Sequence, residues 1–338
     1  MSDKYAKLNS YSNKRFSEII SEGFYLFGKN WLTLIVPLGL FFIVSLVIKN
    51  FLIVGLEWQV INMTPAVEAI ILKDPSLITY GEIELMVKYL ILGFSSIFLG
   101  ILIPNVFNVI AFCLVSNYLF NKFIDKKTKL YSEIKKALNG RILPVILLLG
   151  FLFSVGWIIF IPGIIIFGFY IFYVFTYHSD DSDHPLREAR YLAKGEFWKI
   201  IGIFFINNLI ILAFETIYQF FLNFVSLQSL ASWYNPSTRD YGAIILYDFV
   251  INIVQLIFAP LLICFLTSLY AHLKTRKEKY LQYETPYHEI PQSYETPQKG
   301  IISGPGIYCP FCGKLIPRIT TYCPHCGREL KFLQELEK

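Results

Sequence analysis

Four cysteines near one end of the 338-residue chain, Cys309, Cys312, Cys323 and Cys326, stand in a C-x2-C-x10-C-x2-C arrangement. Thiolates at that spacing are the ligand set of a tetrahedral Zn2+ ion. Each Cys-x-x-Cys-Gly closes a tight knuckle whose backbone amides face the sulfurs, and Gly313 and Gly327 permit the turn after the second ligand. About twenty-five residues bury too little surface to offset chain entropy, so the metal itself must supply the folding free energy. Four thiolates close the site and leave no position for water or substrate, which favours a structural ion and binding over catalysis. His325 lies between ligands of the second knuckle and is expected to be exposed rather than coordinated. Iron is the runner-up metal, because iron–thiolate sites use similar knuckles. Disulfides are the competing use of these thiols, but both pairs have knuckle spacing.

A second group of residues could do chemistry inside apolar sequence. Glu215 and Asp248 are ionisable groups within long apolar runs, where such groups default to functional hypotheses. Together with Asn207, Asn208, Asn252 and Gln255 they could line a polar cavity that handles a small solute or lipid. The plainer reading is that they reach the interface or bond within the bundle. Neither run contains a basic partner for the carboxylates. His178, Asp180, Asp181, Asp183 and His184 form another cluster, read as a solvated loop with a helix start at Pro185 because it lacks the i, i+4 spacing of helical metal sites. The chain has no Gly-rich phosphate loop and no G-x-S-x-G nucleophile, so no enzyme is expected. Cys113 and Cys264 are read as small apolar packing residues.

The elements that must carry these residues follow from composition. The chain is 55% hydrophobic and 16% charged, with a mean hydropathy of +0.51, which argues against an ordinary soluble enzyme. Spanning about 30 Å of hydrocarbon takes around twenty helical residues. Six crossings are expected: Trp31 to about Ile48, about Tyr89 to Phe120, Ile142 to Phe160, Gly163 to Tyr177, Ile200 to Leu222, and Ala243 to Tyr270. Pro162-Gly163 divides an apolar run too long for one crossing and predicts a helical hairpin there. Pro104 is expected to kink one helix rather than end it.

Basic residues set the orientation, because short cytoplasmic loops are rich in Lys and Arg. Residues 1–30, 121–141, 178–199 and 271–280 hold twenty Lys and Arg, against Lys49, Lys73, Lys88 and Arg239 on the other side. Both termini are therefore expected to be cytoplasmic in a cell membrane, with the thiols in a reducing compartment. Residues 1–30 are charged and polar, unlike a secretory signal. Glu57 to Lys88 becomes the main external loop, and its Asn62-Met63-Thr64 matches a glycosylation acceptor followed by Pro65.

Three charged stretches with helical period precede the odd-numbered crossings: FSEIISEGFYLFGKNW, YSEIKKALNGRI and LREARYLAKGEFWKI. They predict three units of amphipathic helix plus hairpin, the short helix lying in the membrane interface or packing on the bundle. With IPGIIIFGFYIFYVFTYH, these segments resemble the multi-pass membrane domain joined to bacterial glycerophosphoryl diester phosphodiesterases and its uncharacterised relatives, over residues 15–270. In those relatives an AL..G.FW type of ending leads into a hairpin, and Leu192, Gly195, Phe197 and Trp198 occupy such positions. The chain has no room for the soluble phosphodiesterase barrel, so that activity does not transfer. The tail looks like a zinc ribbon, a small β module.

The expected organisation is an N-terminal amphipathic segment (1–30), an all-α polytopic membrane bundle (31–270), a flexible linker (271–306), a zinc ribbon (307–330) and a tail (331–338). The linker repeats YETP at Tyr283–Pro286 and Tyr294–Pro297. As a flexible coil it would hold the ribbon roughly 30 Å from the bilayer, within reach of a cytosolic protein partner. Nucleic acid is not expected as a partner, because Lys314, Arg318 and Arg328 are too sparse for a basic patch.

Overall fold

The computed structural model describes residues 14–178, 184–222, 233, 235–284, 307–308 and 315–316. In chain order the helices are α1 (Phe16–Ile71), α2 (Tyr80–Phe123), α3 (Leu130–Ala137), α4 (Ile142–Ile158), α5 (Ile161–Thr176), α6 (Pro185–Ala193), α7 (Phe197–Leu222), α8 (Tyr241–Ile251) and α9 (Ile253–Glu284). Residues 1–284 form one compact unit and 285–338 another.

The first unit is an all-α bundle, as its composition requires. Four helices, α1, α2, α7 and α9, are long and apolar enough to cross a membrane, and a fifth span arises if the bent pair α3 and α4 counts as one. This corrects the expectation of six crossings. The hairpin at Pro162-Gly163 exists, but α5 is a shorter apolar helix, and α3 meets α4 at 84°. The hairpin turns at Phe160, whose φ is 64°, and Pro162 sits in the first turn of α5. The two arms touch there: a Cβ on Gly156 would lie 2.8 Å from the Gly163 nitrogen. Only glycine permits that approach. Seven residues of α4, Ile146–Leu152, are π-helical.

The external loop is also corrected. α1 runs unbroken for 56 residues through Pro37 and Pro65, and α2 for 44 through Pro104. At 1.5 Å per residue these are about 84 and 66 Å long, well beyond a 30 Å slab. Glu57 to Lys88 is therefore the end of a helical hairpin whose loop is only Leu72–Thr79. The loop residues explain the turn. Asp74 caps Pro75–Leu77 by accepting from the Ser76 amide at 3.0 Å, and Glu82 reaches back to the Thr79 amide at 2.8 Å. That T-x-x-E pairing satisfies donors the new helix leaves open.

α9 is the hub of the bundle. In its most apolar window 61% of residues are buried, against 22% for α7. It meets α1 through Phe24–Phe265, with centroids 4.9 Å apart, and through a Trp31 Nε1 bond of 2.8 Å to the Ile257 carbonyl. It meets α2 through Phe120–Tyr270, α5 through stacked Phe175–Tyr270, and α7 through Phe214–Phe258. Leu261, Ile263, Cys264, Phe265 and Leu266 have no exposed surface, and Cys113 and Cys264 are buried packing residues. The expected single sixth crossing is broken at Asn252, which caps α8 before α9 begins.

Two of the three amphipathic stretches, α3 and α6, form separate short helices, while the first is the opening of α1 itself. They pack on the bundle by small residues: Ala137, Ala189 and Ala193 are fully buried. Tyr131, Tyr191 and Trp198 remain exposed beside them.

In the second unit, β1 (Ile307–Tyr308) pairs antiparallel with β2 (Leu315–Ile316), in the register Ile307 to Ile316 and Tyr308 to Leu315.

Candidate functional site

Among the described residues no hydrogen bond or ion pair joins Glu215 or Asn208 to Asp248. Asp248 on α8 accepts a 3.0 Å hydrogen bond from Asn50 Nδ2 and lies 3.7 Å from Lys49 Nζ, both on α1. The basic partner missing from its own run thus comes from the first helix. Glu57, two turns further along α1, feels the charges of both Lys49 and Asp248. Asn252 donates to the Asp248 carbonyl in its own helix, and Asn208 is exposed and bonds the Phe204 carbonyl one turn back. Glu215 is half-buried, and among the described residues no hydrogen bond or ion pair joins it to Asp248. Asn207 is the inward-facing amide: it is buried, and its Oδ1 lacks a hydrogen-bond partner among the described residues. The described polar links of Asp248 thus run to Asn252 in its own helix and to Asn50, Lys49 and Glu57 of α1. Lys49 and Asn50 follow the expected end of the first crossing and look like loop residues until α1 is seen to continue.

The opposite end of the bundle, where the basic residues gather, carries a denser polar network. Glu22 of α1 binds His272 at 2.8 Å and Ser268 at 3.2 Å, both on α9, and also pairs with Lys14. Glu196 lies 2.8 Å from Arg276 of α9 and 2.8 Å from Lys199. Burial pushes the Glu196 carboxyl up, but these two cations outweigh it and leave its pKa below the ordinary value. Glu133, buried in α3, binds Asn117 of α2 and lies 3.4 Å from Lys136.

His178 corrects the reading of a solvated loop. It is tucked against α2 and donates from Nε2 to the Cys113 carbonyl at 3.1 Å, while Tyr177 Oη shares that carbonyl at 3.2 Å and reaches Ala137 at 3.3 Å. Burial pushes the His178 pKa down to about 4, against the upward pull of the Cys113 carbonyl and the Glu133 charge. The imidazole is thus neutral and structural at neutral pH. His184 is exposed at the start of α6 with Pro185 next to it, the expected helix opening. Asp180, Asp181 and Asp183 lie outside the described residues.

Between α1 and α2 at this end is a cavity of about 630 Å³, lined by Tyr25, Lys29, Thr33, Tyr118, Lys122 and Lys126 among others. It was not legible in sequence, because its lysines come from two helices nearly a hundred residues apart and from the turn after the second.

Cys309, Cys312, Cys323 and Cys326 lie outside the described residues, and among the described residues no group of three or more His, Cys, Asp or Glu could hold a metal ion. What is described is the strand pair on either side of Cys309 and Cys312. No family model matches the chain, and no curated protein or solved structure matches it either.

Proposed function

We propose that this chain is a non-enzymatic, multi-pass membrane adaptor that holds a structural zinc ribbon in the cytosol for a protein partner. The observation that carries this reading is the four-cysteine spacing in a unit of its own, with a two-stranded pair flanking the first Cys-x-x-Cys. A knuckle between antiparallel strands is the geometry such a module needs, and thiolate ligation of Zn2+ would supply the free energy that so short a segment lacks. The apolar helices supply the membrane anchor.

The cytosolic placement rests on charge and parity. Helices α1, α2, α7 and α9 make an even number of passes, and the α4–α5 hairpin returns the chain to its starting side whether or not its arms reach the far surface. The start of α1 and the last turns of α9 then lie on the side holding most of the Lys and Arg. The likeness to the phosphodiesterase-linked membrane domain concerns the helices alone and brings no activity with it.

The test uses the full-length protein. Purified in detergent, it should hold about one zinc per chain, and Cys309→Ser with Cys312→Ser should remove it. Crosslinking in the native membrane should recover a cytosolic protein with the unmodified chain and lose it with that variant. Equal recovery from both would refute the adaptor role. Solute or lipid handling by the bundle is the second reading, and Asp248 is its residue because it is held between two helices. Unchanged flux after Asp248→Asn and Glu215→Gln would remove it.

A further inference from the structure

The cavity between α1 and α2 has the chemistry of an anion site. Lys29 of α1, Lys122 of α2, and Lys126 and Lys127 just after α2 line it. Among the described residues none of these four ammonium groups is in an ion pair. Lys29 and Lys122 instead stand 5.6 and 5.7 Å from the ring centroids of Tyr25 and Tyr118, which also line the cavity. Two carboxylates are present, Glu22 and Asp125. Glu22 already holds His272, Ser268 and Lys14, so it does not cancel the lysines.

The turn after α2 folds the last two lysines over the cavity. Asp125 takes φ 57°, and the Lys126 amide then bonds back to the Asn121 carbonyl at 2.8 Å. This is a Schellman-type ending with Asp where Gly is usual, an arrangement that costs about 1 kcal/mol and redirects the chain. Thr33 and Asn30 add polar groups to the wall.

The α1 face that lines the cavity does not stop there. Tyr25, Lys29 and Thr33 continue along the same helical stripe into Leu32, Val36 and Leu40, which are 74%, 69% and 59% exposed. A charged pocket thus opens onto an apolar track running into the spanning part of α1. A soluble anion has no use for that track, whereas a lipid presents both parts. Basic pockets between spanning helices are suited to phospholipid head groups, and lysine is a natural phosphate partner.

We infer that this cavity binds the phosphate group of an anionic membrane lipid, with the acyl chains along Leu32, Val36 and Leu40. The site is independent of the zinc ribbon and needs only that the bundle be in a membrane.

Full-length protein in detergent, titrated with short-chain phosphatidic acid and with phosphatidylcholine, tests this. Phosphatidic acid should bind at least tenfold more tightly. Lys29→Gln with Lys122→Gln should weaken it by more than tenfold, at about fivefold per lysine, and Lys29→Arg with Lys122→Arg should restore it. The same charge change on exposed residues outside the cavity, Lys135→Gln with Arg187→Gln, should alter affinity less than twofold. Equal loss in both pairs, or no preference between the lipids, would overturn the site. Full displacement by millimolar inorganic phosphate would overturn the lipid and leave a soluble phosphate. An arginine pair that keeps the melting temperature but not the binding would also count against it.

Discussion

The two ends of the helical bundle are built differently. At the basic end, α9 is enclosed by α1, α2, α5 and the start of α7, and the polar groups there pair across helices: Glu22 with His272, Glu133 with Asn117, Glu196 with Arg276. At the hairpin end, the tips of α1 and α2 and the last turns of α7 leave Leu72, Tyr80, Leu90 and Phe221 exposed, and the polar ties to α8 include Asp248 with Lys49 and Asn50 and the Tyr218 hydroxyl with the Val250 carbonyl. The difference teaches where the fold stores its specificity. Polar pairs between helices and glycine contacts admit one arrangement, whereas apolar side chains facing lipid admit many.

The largest expected effect is at the α1–α9 seam. A Cβ on Gly23 would fall 2.3 Å from Phe265 Cδ1 and 3.0 Å from its Cα, so Gly23→Ala should cost about 3 kcal/mol. Gly93 meets nothing within 4 Å, so Gly93→Ala should be neutral or stabilise by up to about 1 kcal/mol through helix propensity. Melting temperatures of the two variants in detergent compare the ends directly, and equal losses would break the contrast.

Glu133→Ala comes next, at about 1–2 kcal/mol, because it removes a buried carboxylate and strands the half-buried Asn117 amide. Glu133→Gln should recover part of that, which a thermal unfolding series can read.

The pH dependence has a definite sign. Because His178 titrates near 4 in the fold and near its ordinary value when unfolded, the unfolded chain takes the proton first. The contribution of His178 to stability should be nearly complete above about pH 6.5 and should be lost as pH drops toward 4, by on the order of 3 kcal/mol. His178→Gln should flatten that slope, and a slope that survives the substitution would locate the acid sensitivity elsewhere.

The smallest effect belongs to the hairpin end. Asp248→Asn keeps a partner for Asn50 and loses only a long ion pair with a one-third exposed Lys49. A change under about 1 kcal/mol is expected. A larger loss would show that this end holds the bundle more strongly than its exposure implies.

Much of the bundle was legible in the sequence. Apolar runs placed α1, α2, α7 and α9, Pro162-Gly163 placed the α4–α5 hairpin, and the proline before Leu186 placed the start of α6. The departures have physical causes. Glu57, Glu68 and Glu82 looked like a loop because charge excludes lipid, yet charge does not end a helix. Periodicity at low polarity cannot tell a helix that leaves the membrane from a loop that does. Six crossings shrank to four or five because hydropathy sees apolar length, while the hairpin turn and the α3–α4 bend shorten the helices themselves. The candidate site was legible only in part. Asp248 was singled out, but its partners lie some two hundred residues earlier, beyond any local pattern.

The sequence by itself determined which segments are apolar enough to prefer lipid and where four thiols gather at the tail, because hydropathy, helix breakers and thiol spacing are local properties. Tertiary structure alone decided which charges neutralise one another and which stay open. That is why His178 is a half-buried packing residue, Asp248 is tied to α1, and lysines from two helices and the turn after them surround one cavity: electrostatic partners are set by distance through space, and two long helices must first be laid side by side.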